Sequence, residues 1–128
     1  MLRIASIPRN VAEVENYVTQ IVTRYHIDPA KKGDILISLT EAVNNAIIHG
    51  NDLDANKMVS ISTDCCGDCL AFRISDEGEG FNPKDVPDPL APENLETCGG
   101  RGVFLIQQLA DQVEYHDNGS TVEMSFHI

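Results

Sequence analysis

Polar side chains follow one side of a predicted helix in the first half of the chain. They recur at intervals of three and four residues, the spacing of neighbours on a helix face: Ser38, Glu41, Asn45 and His49. The Glu41 carboxylate could accept a proton, and the side-chain oxygen of Asn45, one turn later, could bind a hard cation such as Mg²⁺. Ile37 and Ile48 lie beside this ridge. We therefore interpret it as one wall of a pocket, with a plain solvated helix face as the alternative.

A short acidic and glycine-rich string forms a second candidate site. Asp76-Glu77-Gly78-Glu79-Gly80 directly follows a predicted strand. A side chain at a strand end, such as that of Asp76, can point into a pocket. Gly78 and Gly80 permit a positive φ and a close approach of the backbone to a ligand. An ordinary turn between two elements is the alternative interpretation.

A third string, Gly99-Gly100-Arg101-Gly102, comes directly before a predicted helix. Backbone N–H groups at a helix N-terminus bind anions, and glycines leave room for the anion to approach. A hinge that leads into the helix is the alternative. A Rossmann fold and a Walker P-loop are excluded, because the chain has neither GxGxxG after a first strand nor GxxxxGK followed by Ser or Thr.

Hydrophobic periodicity predicts the elements that position these three strings. Apolar residues at helical spacing predict helices over 10–25, 29–50 and 102–110. Alternating residues predict strands over 3–7, 59–63, 70–75, 111–117 and 120–127. Asp28-Pro29 is a typical helix start, and Gly67-Asp68 and Asn118-Gly119 are typical hairpin turns. The order predicts an α+β fold: a two-layer α/β sandwich whose mostly antiparallel sheet is covered by helices on one face.

The balance of charge excludes several classes of partner. The chain has 9 Lys and Arg against 20 Asp and Glu, a net charge of -11. This argues against nucleic acid and against an anionic membrane surface, whereas a small phosphorylated ligand stays open because backbone N–H groups and a metal ion can hold phosphates. With 42% hydrophobic residues, the 128 residues predict a single domain over 1–128. The absence of a membrane-length apolar run or a signal-peptide pattern predicts a cytoplasmic protein.

Four cysteines invite a metal-site interpretation. Cys65, Cys66 and Cys69 lie within five residues, and Cys98 follows much later. A zinc site would need a second half, and the sequence has no other CxxC and no close pair of histidines. We therefore predict reduced thiols at the tip of a hairpin.

The three strings occur in an order that resembles a known superfamily. Glu41-x-x-x-Asn45, Asp76-x-Gly78-x-Gly80 and Gly100-x-Gly102 are similar to the N box and the two glycine boxes of the GHKL ATPases. That group includes gyrase, heat-shock chaperone ATPases, mismatch-repair ATPases and histidine kinases. The longer strings over 40–50 and 100–106 resemble the anti-sigma factor serine/threonine kinases of bacterial partner-switching systems. The resemblance covers nearly the whole chain and implies the Bergerat fold, an α/β sandwich with a mixed sheet.

The resemblance implies a role for each matching residue toward Mg²⁺ and ATP. Asn45 would coordinate the Mg²⁺ that bridges the ATP phosphates. Asp76 would accept a hydrogen bond from the adenine amino group, and Gly78 and Gly80 would let the backbone pass close to the base and sugar. Residues 82–98 would form a lid over the nucleotide.

At the phosphate end, the resemblance implies contacts from the third string. Gly100, Arg101 and Gly102 would meet the β- and γ-phosphates. Histidine kinases usually carry Asn at the position of Glu41. A carboxylate there can take the proton of an attacking Ser or Thr hydroxyl, or can activate water instead.

The resemblance also implies protein partners. It predicts a protein serine/threonine kinase that phosphorylates a small anti-sigma antagonist and binds a sigma factor or a similar regulator, and it suggests a homodimer. One alternative is an ATP-dependent binding module without appreciable catalysis. A catalytic fragment of a histidine kinase is disfavoured by Glu41 and by the lack of a phosphoacceptor helix pair. A small acidic domain that binds nothing at these loops would need three accidental motif matches.

Overall fold

The computed structural model describes residues 1–78, 106 and 108–128. Five strands form its sheet: β1 (Leu2–Ala5), β2 (Met58–Cys66), β3 (Cys69–Ser75), β4 (Gln112–His116) and β5 (Thr121–His127). Two long helices, α1 (Ala12–Arg24) and α2 (Pro29–Asn45), pack on the sheet. Shorter helical turns cover Pro8–Val11, Ala46–Gly50 and Asp117–Gly119.

The sheet has the strand order β1-β2-β3-β5-β4, and each described pairing is antiparallel. The α+β class and the helix-covered antiparallel sheet are thereby confirmed. The parallel pairing that a mixed sheet would include is not found among the described strands. The predicted third helix, 102–110, lies largely outside the described residues, although residues 106, 108 and 109 are helical.

Alternation along the strands explains which face of the sheet is covered. On β3 the side chains of Leu70, Phe72 and Ile74 are buried in the core, whereas Arg73 is exposed on the opposite face. The apolar faces of both helices cover the same core. The Tyr17 hydroxyl on α1 also hydrogen-bonds to Thr63 on β2. One face of the sheet therefore carries the hydrophobic core beneath α1 and α2.

Two turns test the hairpin predictions. The Gly67-Asp68 turn is confirmed, since Cys66 pairs with Cys69 and Gly67 adopts a φ of +65°. The Asn118-Gly119 prediction of a two-residue turn is wrong, because His116 pairs with Thr121 and four residues intervene. Asp117 takes a φ of +53° there, so the chain reverses through a short helical turn instead.

Helix α2 begins as predicted and ends differently. The Asp28 side chain accepts a hydrogen bond of 2.9 Å from the N–H of Ala30, and Pro29 occupies the first helical position. The α-helix does not continue to Gly50, because its final turn over Ala46–Gly50 is π-helical. The N–H of Asn51 accordingly donates to the carbonyl of Ala46, 2.8 Å away. Such wide turns within helices are frequent at functional sites.

The thiol prediction is confirmed for two cysteines. Cys65 and Cys69 are free and half-buried at the hairpin between β2 and β3, and Cys98 lies outside the described residues. In the part of the chain that the structure describes, no group of three or more metal-ligating side chains comes together. The described helices also include none that is long and apolar enough to cross a membrane.

Ser38 departs from the predicted polar ridge, because it is fully buried and its hydroxyl has no hydrogen-bond partner among the described residues. Ser38→Ala is expected to increase the free energy of unfolding by about 1 kcal/mol, since an unpaired buried hydroxyl is costly and Ala is the better helix former. Urea unfolding measures this change. Thr19→Ala on α1 is the contrasting control, because it removes an exposed hydroxyl that donates to the carbonyl of Glu15 rather than an unpaired buried one. A less stable Ser38→Ala protein would contradict the prediction.

Candidate functional site

Asp76 lies directly after β3, where the sheet ends. Its N–H donates to the carbonyl of Ser120 before β5, 2.9 Å away, which extends the pairing of the two strands by one step. Its Oδ1 accepts a hydrogen bond of 2.8 Å from the N–H of Gly78. Among the described residues no donor reaches Oδ2. Within the described residues, Asp76 therefore presents a half-buried carboxylate with one oxygen held by an N–H and the other without a donor.

Two glycines allow the backbone to close around this carboxylate. A Cβ on Gly50 would lie 2.2 Å from Oδ2 of Asp76, and a Cβ on Gly78 would lie 1.8 Å from the carbonyl oxygen of Gly50. Both distances are far inside van der Waals contact, so neither position has room for a side chain. Gly78 thus lies against the backbone of Gly50, and its close approach to a ligand stays a prediction. It does not adopt the positive φ that glycine permits.

Burial sets the protonation behaviour of Asp76. Removal from water raises the pKa of its carboxyl group above the ordinary value, because the charged form loses hydration. The N–H of Gly78 and the positive charge of Lys57 act in the opposite direction and partly offset this rise in pKa. A carboxylate in this setting gains from any further hydrogen-bond donor that reaches Oδ2.

Glu41 and Asn45 lie one turn apart on α2, and both are half-buried. Their Cβ atoms are about 5–6 Å apart, as for any such pair on a helix. Asn45 is the last residue of the α-helix, five positions before Gly50. Since Gly50 touches Asp76, the wide turn carries the end of α2 to the end of β3. The string over 40–50 and the string that begins at Asp76, two of the three that the sequence assigns to the site, are therefore in contact.

The ridge is less uniform than its spacing predicts. Ser38 is fully buried, whereas His49 is exposed. A place for His49 in the wall of a pocket stays a prediction. Ile37 is exposed, while Ile48 packs against the core. A helix wheel with a constant 100° step cannot describe the π-helical turn that contains His49 and Ile48.

Asn51 belongs to the site although no sequence motif points to it. It is fully buried, and its side-chain oxygen accepts a hydrogen bond of 2.7 Å from the N–H of Glu77. Its amide nitrogen donates to Ser6 Oγ at 2.7 Å and to the carbonyl of Met58 at 3.0 Å. In the sequence, Asn51 looks like an ordinary polar residue after a helix stop. Only long-range contacts reveal it.

Several predicted site residues lie outside the described part of the chain. They are Gly80, Gly100, Arg101 and Gly102, together with the predicted lid over 82–98. The described site therefore consists of the Glu41–Asn45 end of α2 and the Asp76–Gly78 loop, joined through Gly50 and Asn51.

The chain is similar to known proteins of the family that its sequence motifs resemble. Residues 4–126 match the family model described as the histidine kinase-like ATPase domain. A histidine kinase domain from the blue-light activated histidine kinase of Erythrobacter litoralis superposes with a TM-score of 0.55 at 16% identity, covering 89% of this chain and 60% of that one. At that identity the likeness shows the fold alone.

Two curated relatives narrow the family. An anti-sigma F factor from Clostridium perfringens is 32% identical over 96 residues, which cover 71% of this chain and 69% of that protein. The serine-protein kinase RsbW from Staphylococcus epidermidis is 33% identical over 99 residues, which cover 71% of this chain and 62% of that protein. The chain therefore belongs to the histidine kinase-like ATPase domain family and, within the GHKL superfamily, to the group of the anti-sigma factor kinases.

Proposed function

We propose that the protein is a Mg²⁺-ATP-dependent protein serine/threonine kinase of the anti-sigma factor type. The observation that carries the proposal is the half-buried Asp76 carboxylate, held through one oxygen beside two glycines that admit no side chain. The names of the relatives, a serine-protein kinase and an anti-sigma factor, support the same class of activity.

The residues around Asp76 fit an adenine ring. Oδ2, which no donor of the described residues reaches, can accept a hydrogen bond from the exocyclic amino group. A donor there relieves the loss of hydration that raises the pKa of Asp76. Gly50 and Gly78 carry no side chain that would keep a ligand away from the backbone beside Asp76. We assign Gly78 and Gly80 to the base and sugar, and Gly100, Arg101 and Gly102 to the phosphates, where Arg suits phosphate recognition.

On α2, Glu41 and Asn45 would have different roles in phosphoryl transfer. Bound ATP supplies the phosphoryl group, and Mg²⁺ neutralises the charge that develops on it. The side-chain oxygen of Asn45 would hold the metal ion. The Glu41 carboxylate, one turn earlier, would accept the proton of the attacking Ser or Thr hydroxyl. Their half-buried positions at the end of α2 suit groups that must face a bound nucleotide.

The proposal extends to partners and context. We propose that the phosphate acceptor is a small anti-sigma antagonist protein and that the kinase also binds a sigma factor or a similar regulator, in the cytoplasm and without direct contact to nucleic acid. We further propose that residues 1–128 act as one domain and that the protein works as a homodimer.

Glu41→Gln is expected to leave ATP affinity within about threefold and to lower phosphoryl transfer by about 10²- to 10⁴-fold, the usual contribution of a general base. Calorimetric titration with ATP, with and without Mg²⁺, measures binding. Transfer is followed with radiolabelled ATP and a panel of small anti-sigma antagonist proteins. Glu15→Gln, an exposed glutamate on α1, is the matched control.

Each outcome of this experiment decides between named functions. Mg²⁺-dependent ATP binding with a phosphoserine or phosphothreonine product supports the kinase. ATP binding with release of free phosphate alone indicates an ATPase. Binding without any turnover indicates a nucleotide-sensing binding module, and unchanged transfer by Glu41→Gln removes Glu41 as the base.

A further inference from the structure

Asn51 connects three separated segments of the chain through one buried side chain. Its oxygen accepts from the N–H of Glu77, which sits between Asp76 and Gly78. Its nitrogen donates to Ser6, just after β1, and to Met58, at the start of β2. Each polar atom of the side-chain amide is therefore bonded although the residue is fully buried, the arrangement that makes a buried polar group rigid.

The contacts pass from Asn51 to the Asp76 carboxylate in short steps. Asn51 holds the N–H of Glu77, and the next N–H along the chain, that of Gly78, holds Oδ1 of Asp76. The Glu77 side chain also accepts a hydrogen bond from the N–H of Met58, which ties the same loop to β2. Loss of the Asn51 oxygen would free the Glu77 peptide and, with it, the N–H that orients Asp76.

We propose that Asn51 is a positioning residue that sets the direction of the Asp76 carboxylate and thereby the selectivity of the site for the adenine base. This inference rests on the proposed function, in which Asp76 meets the adenine amino group. A carboxylate accepts a hydrogen bond from an amino group and repels the carbonyl oxygen that inosine carries at the same position. The ratio of ATP to ITP affinity therefore reports the direction of Asp76, whereas a general loss of folding lowers both affinities together.

The test compares four variants by calorimetric titration with ATP and with ITP, each in the presence of Mg²⁺. Wild type is expected to prefer ATP by about tenfold or more, the contribution of one charge-assisted hydrogen bond. Asn51→Leu removes the acceptor for Glu77 and should reduce the ratio to near one. Asn51→Ala removes the same acceptor and replaces the Leu variant if that protein does not fold.

Two matched variants separate positioning from stability. Asn51→Asp keeps an acceptor for the N–H of Glu77 but loses the donations to Ser6 and Met58, so it should retain the selectivity for ATP. Ser6→Ala removes the hydrogen bond on the opposite side of Asn51 and should also retain it. Circular dichroism sets the titration temperature at which each variant is folded.

Three results would overturn the inference, and one of them would overturn the proposed role of Asp76 as well. If Asn51→Leu or Asn51→Ala keeps the ATP preference while both affinities fall together, Asn51 is only structural and the inference is wrong. If the folded wild type binds neither nucleotide, or binds both equally, the proposed role of Asp76 fails and takes the inference with it. Loss of the preference in Ser6→Ala to the same extent as in Asn51→Leu would also overturn a specific role for Asn51.

Discussion

Asp76→Asn is expected to weaken Mg²⁺-ATP binding by about 100-fold or more and to make the ligand-free protein more stable. A hydrogen bond to a charged group contributes about 1.5–3 kcal/mol, and an amide nitrogen facing the adenine amino group adds a repulsion. The fold should persist because the asparagine oxygen can still accept from the N–H of Gly78. Calorimetry measures the affinity, and thermal unfolding measures the stability.

The stability gain follows from the sign of the pKa change. Burial raises the folded-state pKa of Asp76, so between the ordinary and the raised value the folded protein binds more protons than the unfolded one. The contribution of Asp76 to the free energy of unfolding therefore falls as pH rises through this window. At neutral pH the charged carboxylate makes the folded protein less stable. The difference in Tm between variant and wild type should accordingly grow from pH 4 to pH 7.

The control for this prediction is Asp64→Asn, at an exposed position on β2, which should change neither ATP affinity nor the pH dependence of Tm. Unchanged ATP binding by Asp76→Asn would show that Asp76 does not hold the base. A variant that becomes less stable at neutral pH would show that the carboxylate stabilises the loop more than its burial costs.

Gly78→Ala is expected to lower the free energy of unfolding by about 2–3 kcal/mol and to abolish ATP binding. The added Cβ would lie 1.8 Å from the carbonyl oxygen and 2.6 Å from the carbonyl carbon of Gly50. Backbone atoms cannot rotate away as the end of a side chain can, so the loop must move and strain like that of an overpacked core follows. Urea unfolding and calorimetry with ATP measure the two effects.

Gly33→Ala is the matched control, because Gly33 lies on α2 with nothing within 4 Å of an added Cβ. That change should raise stability by about 0.5–1 kcal/mol, the usual difference between Ala and Gly within a helix, and should leave ATP affinity unchanged. Wild-type stability and affinity in Gly78→Ala would show that the contact between Gly50 and Gly78 is not needed for the site.

Local chemistry made part of this protein predictable. The Asp28 cap, the alternating strands and the Gly67 turn depend on neighbours close in sequence, and all three are confirmed. Asp76 and Gly78 can be identified from the sequence for the same reason, since an acidic residue and a spaced glycine after a strand form a local pattern.

The missed features depend on residues far apart in the chain. Asn51 meets Ser6 across 45 residues and Glu77 across 26, and no local pattern encodes such pairs. The burial of Ser38 and the contact of Gly50 with Asp76 are equally non-local. The π-helical turn after Asn45 defeats helix periodicity, because its hydrogen bonds span one residue more than those of an α-helix.

The pairing of β3 with β5 has a consequence for the order in which the protein matures. Strands β1 to β3 are neighbours in the sheet and are complete once residue 75 has been made. Ser75 and its partner Thr121, however, are 46 residues apart. A nascent chain that stops short of β5 has no Ser120 carbonyl to receive the N–H of Asp76. The part of the site around Asp76 therefore forms only after β5 has been made and has paired with β3, so that nucleotide binding there reports a completed sheet.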